Sequence, residues 1–129
     1  MNISDPPQNS DLSIIIPCYN EETRIGETIS TLISWGKSQN ITFELIIAND
    51  GSTDGTLSTV RPFEKEIPKL LILSLSHRGK GAAVREGMLK ATGKKVLYMD
   101  ADGSSPLEEI IKLQDALEDG YPKSFPGGN

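Results

Sequence analysis

The sequence predicts an α/β fold with a mainly parallel sheet of about four strands and flanking helices, on three observations. Strand-like and helix-like segments alternate four times along the chain. The first strand-like run is β-branched and, Ser13 apart, continuously apolar, the character of a strand buried on both faces. Every conspicuous polar cluster lies at or soon after the carboxyl end of one of these runs, where open α/β sheets bind their ligands.

The first strand is expected over Leu12-Ser13-Ile14-Ile15-Ile16, closed by Pro17. After Asn20, read as an N-cap, Ile25, Ile29, Leu32 and Ile33 recur at helical spacing until Gly36. The second strand, Phe43 to Ala48, runs into the turn-rich Asn49-Asp50-Gly51-Ser52. A short helix is expected from Thr56 to Val60, stopped by Pro62, and a third strand from Leu70 to Ser74. Gly79 to Ala91 carries Val84, Met88 and Ala91 on one helical face, and Val96 to Met99 forms the fourth strand. Ser105-Pro106-Leu107-Glu108 is a capping box with proline at the first helical position. It opens a helix that directs Leu107, Ile110, Ile111 and Leu117 to the core and ends at Gly120.

The chain has 129 residues, enough for one domain with a core but short for an enzyme with separate donor and acceptor sites. Eighteen acidic against 13 basic side chains give a net charge of −5, which argues against a surface that coats nucleic acid. The lone cysteine, Cys18, has no internal disulfide partner and is expected as a small buried side chain in a reducing, cytoplasmic setting. No apolar run approaches the roughly 18 to 20 residues of a membrane-spanning helix. Residues 1–11 and 121–129, polar or rich in proline and glycine, are expected to be disordered tails around a domain at 12–120.

The strand ending in Asp100-Ala101-Asp102-Gly103 carries the strongest chemical signal. Residues two apart in a strand share a side, so Asp100 and Asp102 offer hard oxygen ligands to a divalent cation that also binds a substrate diphosphate. A solvated turn is the weaker reading of the pair. Carboxylates separated by one residue tend to share a cation, whereas glycoside hydrolysis wants two about 5 to 9.5 Å apart across a sugar. A serine hydrolase is poorly supported, because no Gly-x-Ser-x-Gly occurs and there is one histidine.

Asp50 leaves a strand into a glycine turn, where its carboxylate either accepts N–H groups of a nucleotide base or hydroxyls of ribose, or caps the next helix. Arg78 and Lys80, flanked by Gly79 and Gly81 at a helix start, offer cations and backbone N–H groups to phosphate, or form an exposed basic loop. This is not a complete Walker sequence. Tyr19 can stack on a base or simply pack, and Glu21 can accept ribose or base hydrogen bonds or favour a helix's first turn. His77 reads first as a solvent-facing loop residue and second as a phosphate neighbour, with no histidine or cysteine at zinc-ligand spacing.

Pro17-x-Tyr19-Asn20-Glu21, Asn49-Asp50-Gly51-Ser52-x-Asp54-Gly55-Thr56, Arg78-Gly79-Lys80-Gly81-x-Ala83 and Asp100-Ala101-Asp102-Gly103, in this order, resemble glycosyltransferase family 2 with the Rossmann-like GT-A fold. The dolichyl-phosphate β-glucosyltransferase branch is the most similar and the polyprenyl-phosphate mannosyltransferases follow. The resemblance covers about Leu12 to Gly120. It implies that Pro17, Tyr19 and Glu21 line the nucleotide pocket and that Asp50, beside Ala48, meets the base. It also implies that Asp100 and Ala101 lie against ribose and diphosphate, that Asp102, with Asp100, holds Mg²⁺ or Mn²⁺, and that Arg78 and Lys80 suit the phosphates. Asn49 stands where the motif commonly has aspartate; with Asp50 retained, little loss is expected.

The implied reaction is inverting transfer of a sugar from UDP-glucose or GDP-mannose to a polyprenyl or dolichyl phosphate. UDP-glucose is the donor that the most similar branch implies. A lipid acceptor implies peripheral association with the cytoplasmic face of a membrane. Family members place the general base and acceptor site beyond the position of Asn129, so the chain is expected to be the donor half of a longer enzyme, binding donor with weak or absent transfer. The alternative is a non-catalytic nucleotide-binding α/β domain, which metal-independent nucleotide binding would favour.

Overall fold

The computed structural model describes residues 12–101 and 106–118. The expectations for both tails, for Asp102, for the Ser105 cap and for the Gly120 stop fall outside these residues, as does the Leu117 side chain. Four parallel strands, β1 (Leu12–Cys18), β2 (Phe43–Asn49), β3 (Leu70–Ser74) and β4 (Lys95–Tyr98), form one sheet in the order β3-β2-β1-β4. The helices are α1 (Ile25–Gln39), α2 (Thr56–Val60), α3 (Lys80–Lys90) and α4 (Pro106–Glu118). The α/β fold expected from the sequence is therefore present.

Side-chain alternation divides the core into two layers. Ile14, Ile16, Leu45, Ile47, Leu97 and Met99 pack with Ile25, Ile29 and Leu32 of α1 and with Ile110 and Leu113 of α4. Ile15, Ile46 and Ala48 pack on the other face against Ala83, with Met88 and Tyr98 alongside. Burial on both faces is the physical reason β1 and β2 are mostly apolar and their polar residues, Ser13, Glu44 and Asn49, are hydrogen-bonded.

Pro17 does not end β1, which continues through Cys18 beside Asn49 of β2. It ends the ladder to β4 instead. The Met99 N–H donates to the Ile15 carbonyl at 2.9 Å, and parallel alternation turns Pro17 to that same side with no N–H to give. The chain leaves the sheet there, which brings Asp100 to the rim.

Other boundaries also differ from expectation. Asn20 is not the α1 N-cap: it adopts φ 56°, and Arg24 occupies the cap position without a side-chain bond. Helix α1 runs past Gly36 to Gln39 and closes on left-handed Asn40, while the Ile41 N–H returns to the Gly36 carbonyl at 2.8 Å. Gly36 stays helical because its role is close packing. A Cβ there would lie 2.8 Å from Phe43 Cε2 and 3.1 Å from the Ile41 carbonyl oxygen. Gly36→Ala is therefore expected to destabilise the fold by about 1–3 kcal/mol despite alanine's higher helix propensity, as a shift in the urea midpoint would show.

The short helix α2 does cover Thr56–Val60 as expected, and Pro62 sits in the first turn of the 3₁₀ helix that follows, Arg61–Lys65, where its missing N–H costs nothing. In α4, Ile110 and Leu113 are buried, but Leu107 and Ile111 are 64% and 52% exposed, contrary to expectation. At about 100° per residue, Glu109, Ile110 and Leu113 share the inward face and leave Leu107 and Ile111 outside it. Glu109 keeps its inward place because its Oε1 accepts the Asp100 N–H at 3.1 Å and its Oε2 accepts from Lys112 at 3.1 Å.

Candidate functional site

The carboxyl ends of β1, β2 and β3 feed three loops into one cleft of about 220 Å³, lined by Pro17, Cys18, Tyr19, Glu21, Asp50, His77, Gly79 and Lys80. Five of the residues singled out in the sequence, Pro17, Tyr19, Glu21, Asp50 and Lys80, are thus brought together. A hollow of about 250 Å³ at the opposite rim, among Ile33, Ile41, Phe43 and Ile67, is larger but more apolar. The polar convergence, not the volume, marks the site.

Asp50 is the pivot. It is buried, and its Oδ1 accepts the Arg78 N–H at 2.8 Å while its Oδ2 accepts the Gly79 N–H at 2.9 Å. His77 Nδ1 lies 2.9 Å from the same Oδ2. Burial pushes the Asp50 carboxyl up, but the two N–H groups and the neighbouring His77 outweigh it and hold it below the ordinary value. The loop reaches Asp50 because Gly51 and Gly79 adopt φ 74° and 105°, conformations that favour glycine. At Gly51 a Cβ would also lie 2.9 Å from the His77 nitrogen.

Asn20 wires the first loop to the second: its Oδ1 accepts the Thr53 N–H at 2.8 Å and the Asp54 N–H at 3.3 Å, and its own N–H donates to Ser52 Oγ at 2.9 Å. The Glu21 N–H donates to buried Thr56 Oγ1 at 2.8 Å, and Glu22 Oε1 accepts the Gly55 N–H at 2.6 Å. Asn49 Oδ1 accepts the Ser52 N–H three residues on at 3.2 Å, a turn bond for which an amide oxygen serves as well as a carboxylate.

Above these loops, the Tyr19 and His77 rings stack with centroids 4.1 Å apart and planes 22° apart. Lys80 Nζ donates to Asp100 Oδ1 at 2.5 Å and lies 5.8 Å from the Tyr98 ring centroid, which joins the end of β4 to the start of α3. Arg78 does not line the cleft but, with Leu75, Ala82 and Glu86, an adjoining hollow that Asp50 also borders. Ala48 and Ala101 are buried in the two core layers, so only their backbone can face a ligand.

Sequence reasoning underrated His77 and missed Thr56 and Glu109. The Glu109 signal was a single acid in an otherwise inward helical stripe. Among the described residues no group of three or more histidine, cysteine or acidic side chains converges. Asp100 suits a cation ligand: its carboxylate is partly exposed at the rim and already carries one cationic partner, Lys80.

The profile described as Glycosyl transferase family 2 matches residues 13–125. The chain is 36% identical over 130 residues to the dolichyl-phosphate beta-glucosyltransferase of Drosophila melanogaster, a match spanning 95% of this chain and 40% of that protein. It is 41% identical over 113 residues to the dolichyl-phosphate beta-glucosyltransferase of Saccharomyces cerevisiae, with 82% and 34% covered. Among solved structures, the mannosyltransferase PcManGT from Pyrobaculum calidifontis in complex with GDP-Man and Mn²⁺ is similar, with a TM-score of 0.62 and 31% identity. That match covers 76% of this chain and 29% of the solved chain. The chain thus spans well under half the length of these proteins.

Proposed function

The chain belongs to glycosyl transferase family 2, and on that premise we propose that its rim cleft binds the nucleotide-sugar donor, UDP-glucose, of an inverting transfer to a dolichyl or polyprenyl phosphate. The observation that carries this reading is the convergence of Pro17, Tyr19, Glu21, Asp50, Gly79 and Lys80 in one cleft at the carboxyl rim of a parallel sheet. The names of the fly and yeast relatives support the glucose and dolichyl assignments.

In this reading Tyr19 supplies a flat wall for the base. A carboxylate offers about four acceptor positions. Asp50 uses them on the loop N–H groups and on an N–H of the base. The α3 amino terminus, with the Gly79 backbone and Lys80, faces the diphosphate with positive potential. Lys80 is the group that exchanges a carboxylate partner for a phosphate oxygen. Arg78 is exposed and acts on the phosphates at longer range. Asp100 and Asp102 would hold Mg²⁺ or Mn²⁺, whose chemistry is to neutralise charge on the departing diphosphate. Ala48 and Ala101 contribute backbone alone. No described residue is assigned as general base, and a phosphate acceptor, already anionic, needs less help from one than a hydroxyl does. No helix among the described residues is long and apolar enough to cross a membrane.

Calorimetric titration of UDP-glucose with Mn²⁺ or EDTA tests the assignment. Binding is expected to weaken at least about tenfold in EDTA, and Asp102→Ala is expected to remove the metal's effect. Equal binding in EDTA would favour a nucleotide-binding domain without metal-assisted transfer.

A further inference from the structure

We propose that the His77 imidazole occupies the base subsite itself, so that a nucleotide base enters only by displacing it. This inference rests on the nucleotide reading of the cleft and deepens it. A base with an imino N–H would be recognised here by two contacts, a flat face on Tyr19 and an N–H donated to the Asp50 carboxylate. The His77 ring makes both, stacked on Tyr19 at 4.1 Å and with Nδ1 2.9 Å from Asp50 Oδ2. With Asp50 ionised, the Nδ1–H tautomer is the one that donates to it.

The ring can leave without dismantling the loop. Asp50 holds the Arg78 and Gly79 N–H groups through backbone bonds that do not involve the imidazole, and the His77 side chain is 55% exposed. Rotation of the side chain would uncover one face of Tyr19 and one lone pair of Asp50 together. Part of the donor's binding free energy is then used to evict the ring, and the apparent affinity falls by the fraction of molecules in which the subsite is open.

His77 is the chain's one histidine, so its ring can be followed by NMR without assignment ambiguity. In the full chain, the His77 ring protons are expected to show an upfield ring-current shift from Tyr19, lost when UDP saturates the site. His77→Ala is expected to bind UDP about five- to tenfold more tightly than wild type, by removing the competing ring. Weaker UDP binding by His77→Ala, or a ring-current shift that survives saturation, would make His77 a wall of the pocket and overturn the proposal, leaving nucleotide binding intact. No binding of UDP or GDP to either protein would overturn the cleft reading and this proposal with it.

Discussion

Asp50→Ala is expected to abolish measurable UDP binding and to lower stability by about 2–4 kcal/mol, the largest combined effect of any single change at the rim. The Arg78 and Gly79 N–H groups lose their shared acceptor and His77 loses its ionised partner. The loop carrying Lys80 is then free to drift from the cleft. The stability part has a definite pH signature. A carboxyl whose folded pKa is depressed contributes stability that is complete above its unfolded value, near 3.8, and is lost as pH falls through the lower folded value. Urea denaturation of wild type and Asp50→Ala should therefore show a gap that is widest above the ordinary carboxylate range and closes in stronger acid. UDP titration at neutral pH gives the binding part.

Glu44→Ala is expected to cost a similar amount, about 2–4 kcal/mol, while leaving UDP affinity unchanged within about twofold. Glu44 is the counterpart of Asp50 at the opposite rim. Its buried Oε1 accepts Ser13 Oγ–H at 2.6 Å, the Thr92 N–H at 2.9 Å and Thr92 Oγ1–H at 3.2 Å, while Ser13 Oγ accepts the Gly93 N–H at 2.8 Å. Removing the carboxylate strands the fully buried Ser13 hydroxyl and unties it from Thr92, and neither residue faces the cleft. Urea denaturation and UDP titration on the same sample separate the two predictions: stability falls in both variants, binding in Asp50→Ala alone. A loss of UDP binding in folded Glu44→Ala would mean that the two rims are coupled.

The sheet was legible from sequence because β1 and β2 are buried on both faces, a condition that leaves a mostly apolar run in each. The ends of elements were harder to read. Gly36 and Asn20 look like boundaries, yet each serves a tertiary contact: Gly36 makes room for Phe43, and Asn20 reaches residues more than thirty positions away. In α4 the helical period marked an apolar stripe, but not that Glu109 would take part of the inward face to hold Asp100. The cleft residues could be listed from the strand-end rule, while their wiring could not. Nothing in the local sequence says that Asp50 pairs with a loop 28 residues on, or that His77 lies on Tyr19. Ala48 and Ala101 stood out through the family motif, although their side chains are in the core.

The claim that the carboxyl rim is a nucleotide site is tested most directly by amide NMR shift mapping of UDP on the intact chain with Mg²⁺. The account predicts perturbations confined to residues 17–21, 49–52 and 77–81 and the Asp100 end of β4, with the Thr92 and Gly93 amides unmoved. Perturbations centred instead on the apolar hollow at Ile33, Ile41 and Ile67, or none at saturating UDP and GDP, would contradict it.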